Sequence, residues 1–132
     1  MADLDNSQDW IAALKWDADG MIPAIAQDEN GRVVMFAYMN RESLQETVRC
    51  GNAVYWSRSR KRLWRKGEES GHFQKIRSIR TDCDGDVLLL SIEQVGGIAC
   101  HTGRESCFFN ELNGDRWIPA DPVLKDPKEI YQ

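Results

Sequence analysis

The sequence predicts a strand-dominated α+β fold, a compact single-domain sheet or pseudo-barrel with one main helix. Three observations lead there. Short apolar runs bounded by turn residues recur along the chain, as strands do. Only one segment carries helix signals at both of its ends. At 132 residues the chain has room for one core and no second domain. Residues 1–110 read as the body of that domain, and residues 111–132 as a C-terminal strand and surface tail belonging to it.

In chain order, Asp9 to Trp16 reads as a short helix. Ile22 to Gln27 and Arg32 to Met39 form a hairpin around Asp28-Glu29-Asn30-Gly31, and the second strand is apolar enough to be buried. Asn40 is placed to cap a helix that runs through Cys50, with Leu44 and Val48 on one face and Gly51 past its end. Asn52 to Arg58 is rich in aromatic and β-branched residues and reads as a strand. Further strands fall at Phe73 to Thr81, Val87 to Gln94, Ser106 to Asn110 and Arg116 to Ile118. The Asp/Pro-rich stretch from Ala120 to Pro127 reads as a tail lying over the surface.

Charge is distributed unevenly. Residues 49–80 carry ten Lys or Arg against two Glu, a balance of +8 inside a chain of net −4. The densest part, Ser57-Arg58-Ser59-Arg60-Lys61-Arg62-Leu63-Trp64-Arg65-Lys66-Gly67-Glu68, has Tyr55 and Trp56 beside it. Such a segment suits single-stranded nucleic acid, through phosphate contacts and base stacking. It equally suits a small ligand bearing phosphates and a base, since arginine forks match phosphate oxygens. A solvated basic face is the third reading. The acidic remainder would repel a long phosphate backbone, which favours the small phosphorylated ligand over nucleic acid.

The run Asp82-Cys83-Asp84-Gly85-Asp86, followed by Cys100-His101 and Cys107, interleaves hard carboxylates with soft thiols. Thiolates suit zinc and aspartates suit magnesium or calcium, so two metals with different tasks are implied. Three thiolates would leave one zinc position open, as catalytic zinc requires. Asp82, Asp84, Asp86 and Glu93 match positions 1, 3, 5 and 12 of an EF-hand loop, but Val87 stands where that loop needs glycine and the flanks read as strands. The EF-hand is rejected. A locally extended run would put the three aspartates on one side and Cys83 on the other. The plainer reading is a solvated acidic turn with Gly85 at the bend.

No Cys-x-x-Cys pair is present, so the usual structural-zinc spacing is missing. Cys50 has no chemical neighbours and reads as a small buried hydrophobe. The acidic start Met1-Ala2-Asp3-Leu4-Asp5 lacks the pattern of a signal peptide, and no run is long enough to span a membrane. A cytoplasmic location with reduced thiols is expected, with no membrane partner.

Taken together, Met35-Phe36-Ala37-Tyr38-Met39-Asn40, Ser57-Arg58-Ser59-Arg60 through Leu63-Trp64, Lys66-Gly67-Glu68 with Ser70-Gly71, Asp82-Cys83-Asp84-x-Asp86, and Cys100-His101 through Ser106-Cys107-Phe108 form an ordered set. The chain resembles the phosphoribosyl-AMP cyclohydrolases of histidine biosynthesis over about residues 20–109. The chain ends too soon for the pyrophosphohydrolase domain fused to many relatives, so only the cyclohydrolase step is implied.

The resemblance implies hydrolysis of the N1–C6 bond of the adenine ring in phosphoribosyl-AMP, by zinc-activated water attacking C6. It assigns zinc to Cys83, Cys100 and Cys107, and magnesium to Asp82, Asp84 and Asp86. His101 is the candidate for proton transfer, because imidazole titrates near neutrality and its chain neighbour is a ligand. Substrate contacts are expected from Ser57, Arg58, Ser59, Arg60, Trp64, Lys66, Glu68 and His72, of which His72 is equally readable as a surface residue and Glu68 as an exposed glutamate. Cys83 lies at a turn between strands while Cys100 and Cys107 flank another loop, and the resemblance implies a homodimer whose zinc is shared between subunits. Two other classes stand as alternatives: a structural zinc module with four closed ligands, and a single-strand nucleic-acid binder.

Overall fold

A computed structural model describes residues 9–130; the acidic segment Met1–Asp5 lies outside the described residues. The observed class is α+β and strand-dominated. Helix α1 covers Asp9–Ala12, shorter than the expected Asp9 to Trp16. Strands β1 (Met21–Gln27) and β2 (Val33–Asn40) form the expected hairpin. Its turn is built by Asp28, whose carboxylate accepts from the backbone N–H groups of Asn30 and Arg32, both at 2.9 Å.

Strand β1 alternates cleanly, with Ile22, Ala24 and Ala26 buried. Strand β2 is not buried throughout, as its composition suggested. Val34, Met35 and Met39 are interior, whereas Val33 and Phe36 are exposed. A strand's alternation gives each apolar residue a face, and the outer face here lacks a covering layer at those positions.

Helix α2 (Arg41–Cys50) begins where the sequence placed it. Asn40 Oδ1 accepts from Ser43 N–H at 2.8 Å, and Ser43 Oγ accepts from Asn40 N–H at 2.9 Å. Gly51, with φ 78°, ends the helix in the left-handed conformation that glycine adopts without strain. The buried face is not the expected Leu44–Val48 pair. Leu44 is buried but Val48 is 53% exposed, and Thr47 takes the inner position. The Thr47 hydroxyl donates to the Ser43 carbonyl at 2.8 Å and accepts from Val54 N–H at 2.9 Å. That pairing joins the helix to the next strand and offsets the cost of burying a hydroxyl.

The basic run is a second hairpin, which the sequence reading did not resolve. Strand β3 (Val54–Ser57) pairs antiparallel with β4 (Arg62–Arg65), opposing Tyr55 to Trp64 and Ser57 to Arg62. Strands β5 (Gln74–Thr81) and β6 (Leu88–Gln94) then flank the acidic turn, as expected. The six strands lie in the order β4-β3-β2-β1-β6-β5, with β1 and β6 parallel and the other pairs antiparallel. The sheet curls on itself. Asn52 bridges to Lys75, and Ala53 N–H and Ile76 N–H bond across the same seam to Gln74 and Gly51 carbonyls, both at 2.9 Å.

Ser106 to Asn110 is not the expected strand. Strand β7 is Asn110–Asn113, paired with β8 (Arg116–Pro119) in a separate exposed hairpin. The preceding residues are committed elsewhere: Ser106 Oγ donates to Val33 O and accepts from Phe108 N–H, while Cys107 N–H bonds Val34 O at 2.8 Å. The tail runs over the surface as expected until helix α3 (Pro127–Ile130), where Ile130 is buried. No described helix is long and apolar enough to cross a membrane.

Replacing Thr47 by Val should cost about 1–3 kcal/mol, because it leaves the buried Val54 N–H without its acceptor. Val48→Lys on the exposed face should stay within about 0.5 kcal/mol of the parent. Urea unfolding of the two variants measures the difference.

Candidate active site

One end of the curled sheet carries the loop of Cys100 to Cys107. It is closed by Ala99 N–H to Glu105 O and Cys100 N–H to Arg104 O, both at 3.1 Å. On one side Cys107 is tied to β2. On the other the tail crosses it: Leu124 N–H bonds Gly103 O at 2.8 Å and Arg104 Nε bonds Asp121 O at 3.0 Å. Arg32 adds ion pairs to Glu105 and Asp121. Gly103 has φ +86°, and a Cβ there would lie 1.8 Å from the Lys125 carbonyl oxygen. Only glycine lets the tail approach so closely.

The sulfurs of Cys100 and Cys107 lie together in this loop. Cys100 is buried, and the Thr102 hydroxyl donates to its sulfur at 3.1 Å. Cys107 is exposed as a residue, yet desolvation, reinforced by Cys100, pushes its thiol up to about 12. The two facts agree because the sulfur itself is turned towards Cys100 while the rest of the residue meets solvent. A bound cation would hold both sulfurs as thiolates. Cys50 stands apart, half-buried on α2, and its sulfur meets the Asn52 carbonyl at 3.4 Å.

Beneath the loop lies a chain of buried amides. Tyr55 Oη donates to Gln74 Oε1 at 2.5 Å, and Gln74 Nε2 donates to Gln94 Oε1 at 2.9 Å. The Gln94 amide nitrogen then reaches the carbonyls of His72 and Ile98, each at 3.2 Å. Lys66 is 6% exposed, and its ammonium donates to the Ala99 carbonyl, next to Cys100 in the chain. Burial lowers its pKa, opposed by the charges of Cys107 and Cys100.

A cleft of about 740 Å³ opens beside this loop. Of the residues expected to contact substrate or transfer protons, Ser57, Arg60, Trp64, Lys66, Glu68 and His101 line it together. Arg58, Ser59 and His72 do not. The Arg58 guanidinium lies over the Tyr38 ring at 3.9 Å, and Ser59 sits in the β3–β4 turn beside Ser57. His72 packs its ring against Gly96, and desolvation, then Lys125 and Lys66, lower its pKa. Arg62 and Arg65 also line the cleft, and the sequence reading had not chosen them. Recognising the hairpin would have found Arg62, which stands two residues from Trp64 on the same strand face. Arg65 is bonded to Glu46 at 2.6 Å; Arg49 and Arg65 together hold that carboxyl down at about 2.

The acidic run is a turn, not an extended segment. Gly85 N–H bonds Asp82 O at 3.1 Å, and Asp86 N–H bonds Asp82 Oδ1 at 3.2 Å. Alternation therefore does not separate Cys83 from the aspartates. Ligand atoms of Asp82, Cys83 and Asp84 lie within 4.8 Å of one another, an arrangement that leaves Asp86 outside. Desolvation and the Asp82 and Asp84 carboxylates raise the pKa of Asp86, while Asp82 is lowered because backbone N–H groups and Asp86 outweigh its desolvation. Strands flank the turn, so the rejected EF-hand stays rejected.

Arginines, a tryptophan and a histidine thus share one cleft beside the cysteine loop, an arrangement suited to an enzyme that handles a phosphorylated small molecule. The family model of phosphoribosyl-AMP cyclohydrolase matches residues 35–109. A phosphoribosyl-AMP cyclohydrolase of Dechloromonas aromatica is 95% identical over 132 residues, covering 100% of both chains. One from Nitrosomonas europaea is 63% identical over 92% of this chain and 95% of its own. One from Bordetella avium is 61% identical over 98% of this chain and 100% of its own. The chain belongs to the phosphoribosyl-AMP cyclohydrolase family.

Gly103→Ala should drive the tail off the loop and lower stability by more than about 1 kcal/mol, since neither the backbone angle nor the space admits a side chain. Hydrogen exchange at Leu124 and Lys125, whose amides bond Gly103, should accelerate in that variant. Protection equal to the parent would show that the contact is dispensable.

Proposed function

We propose that this chain hydrolyses phosphoribosyl-AMP in histidine biosynthesis, opening the adenine ring between N1 and C6. The observation that carries the reading is that one cleft brings Trp64, Arg60 and Arg62 to His101, whose neighbour Cys100 is half of the thiol pair. Family membership supports the substrate, since the relatives bear that enzyme's name.

In this reading Trp64, 40% exposed at the cleft, offers a stacking face for the base. Arg60 and Arg62 have no carboxylate partner among the described residues and are available to phosphate oxygens. The oxygen of water joins C6, the N1–C6 bond breaks, and N1 leaves with a proton. His101 moves that proton, and Glu68 on the cleft wall orients water.

The donor types fit the implied metals: soft sulfurs at Cys100 and Cys107, and hard carboxylates at the clustered Asp82 and Asp84, with Asp86 next along the same turn. Zinc held by Cys83, Cys100 and Cys107 would supply Lewis acidity that makes water a nucleophile near neutral pH. Magnesium would take the aspartates and neutralise phosphate charge.

The third thiol supports a homodimer. Cys83 lies in the turn before β6, whereas the chain enters the Cys100 loop after it. The strand between them spans roughly 20 Å. Among the described residues Cys83 clusters with Asp82 and Asp84, and not with the other two cysteines. A partner's turn brought to each loop would complete two equivalent sites. The exposed Leu112, Trp117 and Ile118 of the β7–β8 hairpin offer apolar surface for such an assembly.

With phosphoribosyl-AMP as substrate, the ultraviolet change on ring opening follows turnover. His101→Ala should keep zinc and fold but lose about 100-fold to 10,000-fold in rate. Unchanged rates would remove His101 from the chemistry. Cys83→Ser and Cys107→Ser should each be inactive alone and regain activity when subunits are exchanged, because one site of the mixed dimer is intact. Mixtures that form heterodimers yet stay inactive would place the zinc within one chain.

A further inference from the structure

Lys66 presents a problem of charge. The residue is 6% exposed, yet no carboxylate of the described residues forms an ion pair with its ammonium. Its neighbours are the Ala99 carbonyl, the Trp64 ring at 5.4 Å, and the side chains of Cys100 and Cys107. A carbonyl dipole and a ring face attract an ammonium but do not neutralise its charge. The backbone leaves the side chain little choice of place, since Lys66 N–H bonds Ala53 O at 3.2 Å. Metal-bound, the two sulfurs beside it would supply the compensating negative charge. Zinc with three thiolates carries one net negative charge, which one buried ammonium cancels.

We infer that Lys66 is a positioning residue of the metal loop, the built-in counter-charge of the zinc–thiolate centre, and not a ligand for substrate phosphate. This rests on the zinc reading above and deepens it. The hydrogen bond to Ala99 fixes the backbone at the entrance to Cys100, so one side chain sets both the loop's position and its charge. Groups that orient and neutralise a metal site from outside its ligand shell typically change metal affinity by 10-fold to 100-fold when lost.

The role predicts effects of opposite sign in the two states. Without metal, the buried charge is a liability, so apo Lys66→Met should melt no lower than apo parent. With metal, the same variant should bind zinc on the order of 10-fold or more weakly in competition with a chromophoric chelator. Lys66→Gln retains a donor for Ala99 without the charge and should weaken zinc likewise, whereas Lys66→Arg should recover part of the affinity. Any change in the AMP affinity of zinc-loaded Lys66→Met should be smaller than its change in zinc affinity.

Zinc affinity unchanged in Met and Gln variants overturns the inference, as does a large loss of AMP affinity with zinc retained. Failure of both neutral variants to fold as apoprotein also overturns it, because a counter-charge is not needed where there is no metal. If the parent itself binds no zinc, the metal reading falls together with this one.

Discussion

Everything at the active end of this molecule hangs on the side-chain amide of Gln94. Its oxygen accepts from Gln74, and its nitrogen reaches the carbonyls of His72 and Ile98. Those carbonyls belong to two different segments, the one that leads from the cleft wall into β5 and the one that enters the cysteine loop. An unpaired buried amide is costly, so the two segments are held at a common distance by the need to satisfy it. Tyr55 extends the same constraint to the basic hairpin through Gln74. Cleft, loop and hairpin are thereby set in one frame.

Local chemistry was the legible part of the fold. Asn40 and Gly51 announced both ends of α2, and Asp28 to Gly31 announced the first turn, because each acts on its own neighbours. Val48 misled because helical spacing identifies a face but not whether anything lies opposite it. Thr47 took the inner position through a partner, Val54, that comes from the following strand. Strand β4 was hidden by its charge: Arg62 and Arg65 filled positions where apolar alternation would have shown. At the other hairpin a signal was present, since Gly114-Asp115 is the two-residue connection between the paired strands.

The site was legible in membership more than in geometry. His101 and Trp64 are far apart in the chain yet line one cleft, and both were chosen for their chemistry. Arg58 was chosen on the same grounds and lies instead on Tyr38, a ring supplied by β2. No pattern within the basic run could reveal that stacking. The acidic turn shows the converse. Its residues stand out by their ligand chemistry, but assuming extension separated Cys83 from the two aspartates, Asp82 and Asp84, that a single bend brings beside it.

The parallel pairing of β1 with β6 has a consequence for how the chain assembles. Ala24 finds its partner in Leu88, on the far side of the helix, the basic hairpin and β5. The first hairpin and α2 are local and can form early, but the inner edge of β1 stays open until β6 arrives. Contacts of such long sequence separation slow folding, because the loop must close before the pairing rewards it. During synthesis the nascent chain therefore exposes an unpaired apolar edge at Ile22 to Ala26 until the ribosome has released residue 94. In that interval the chain is most open to capture by a chaperone, or by the same edge of a neighbouring nascent chain.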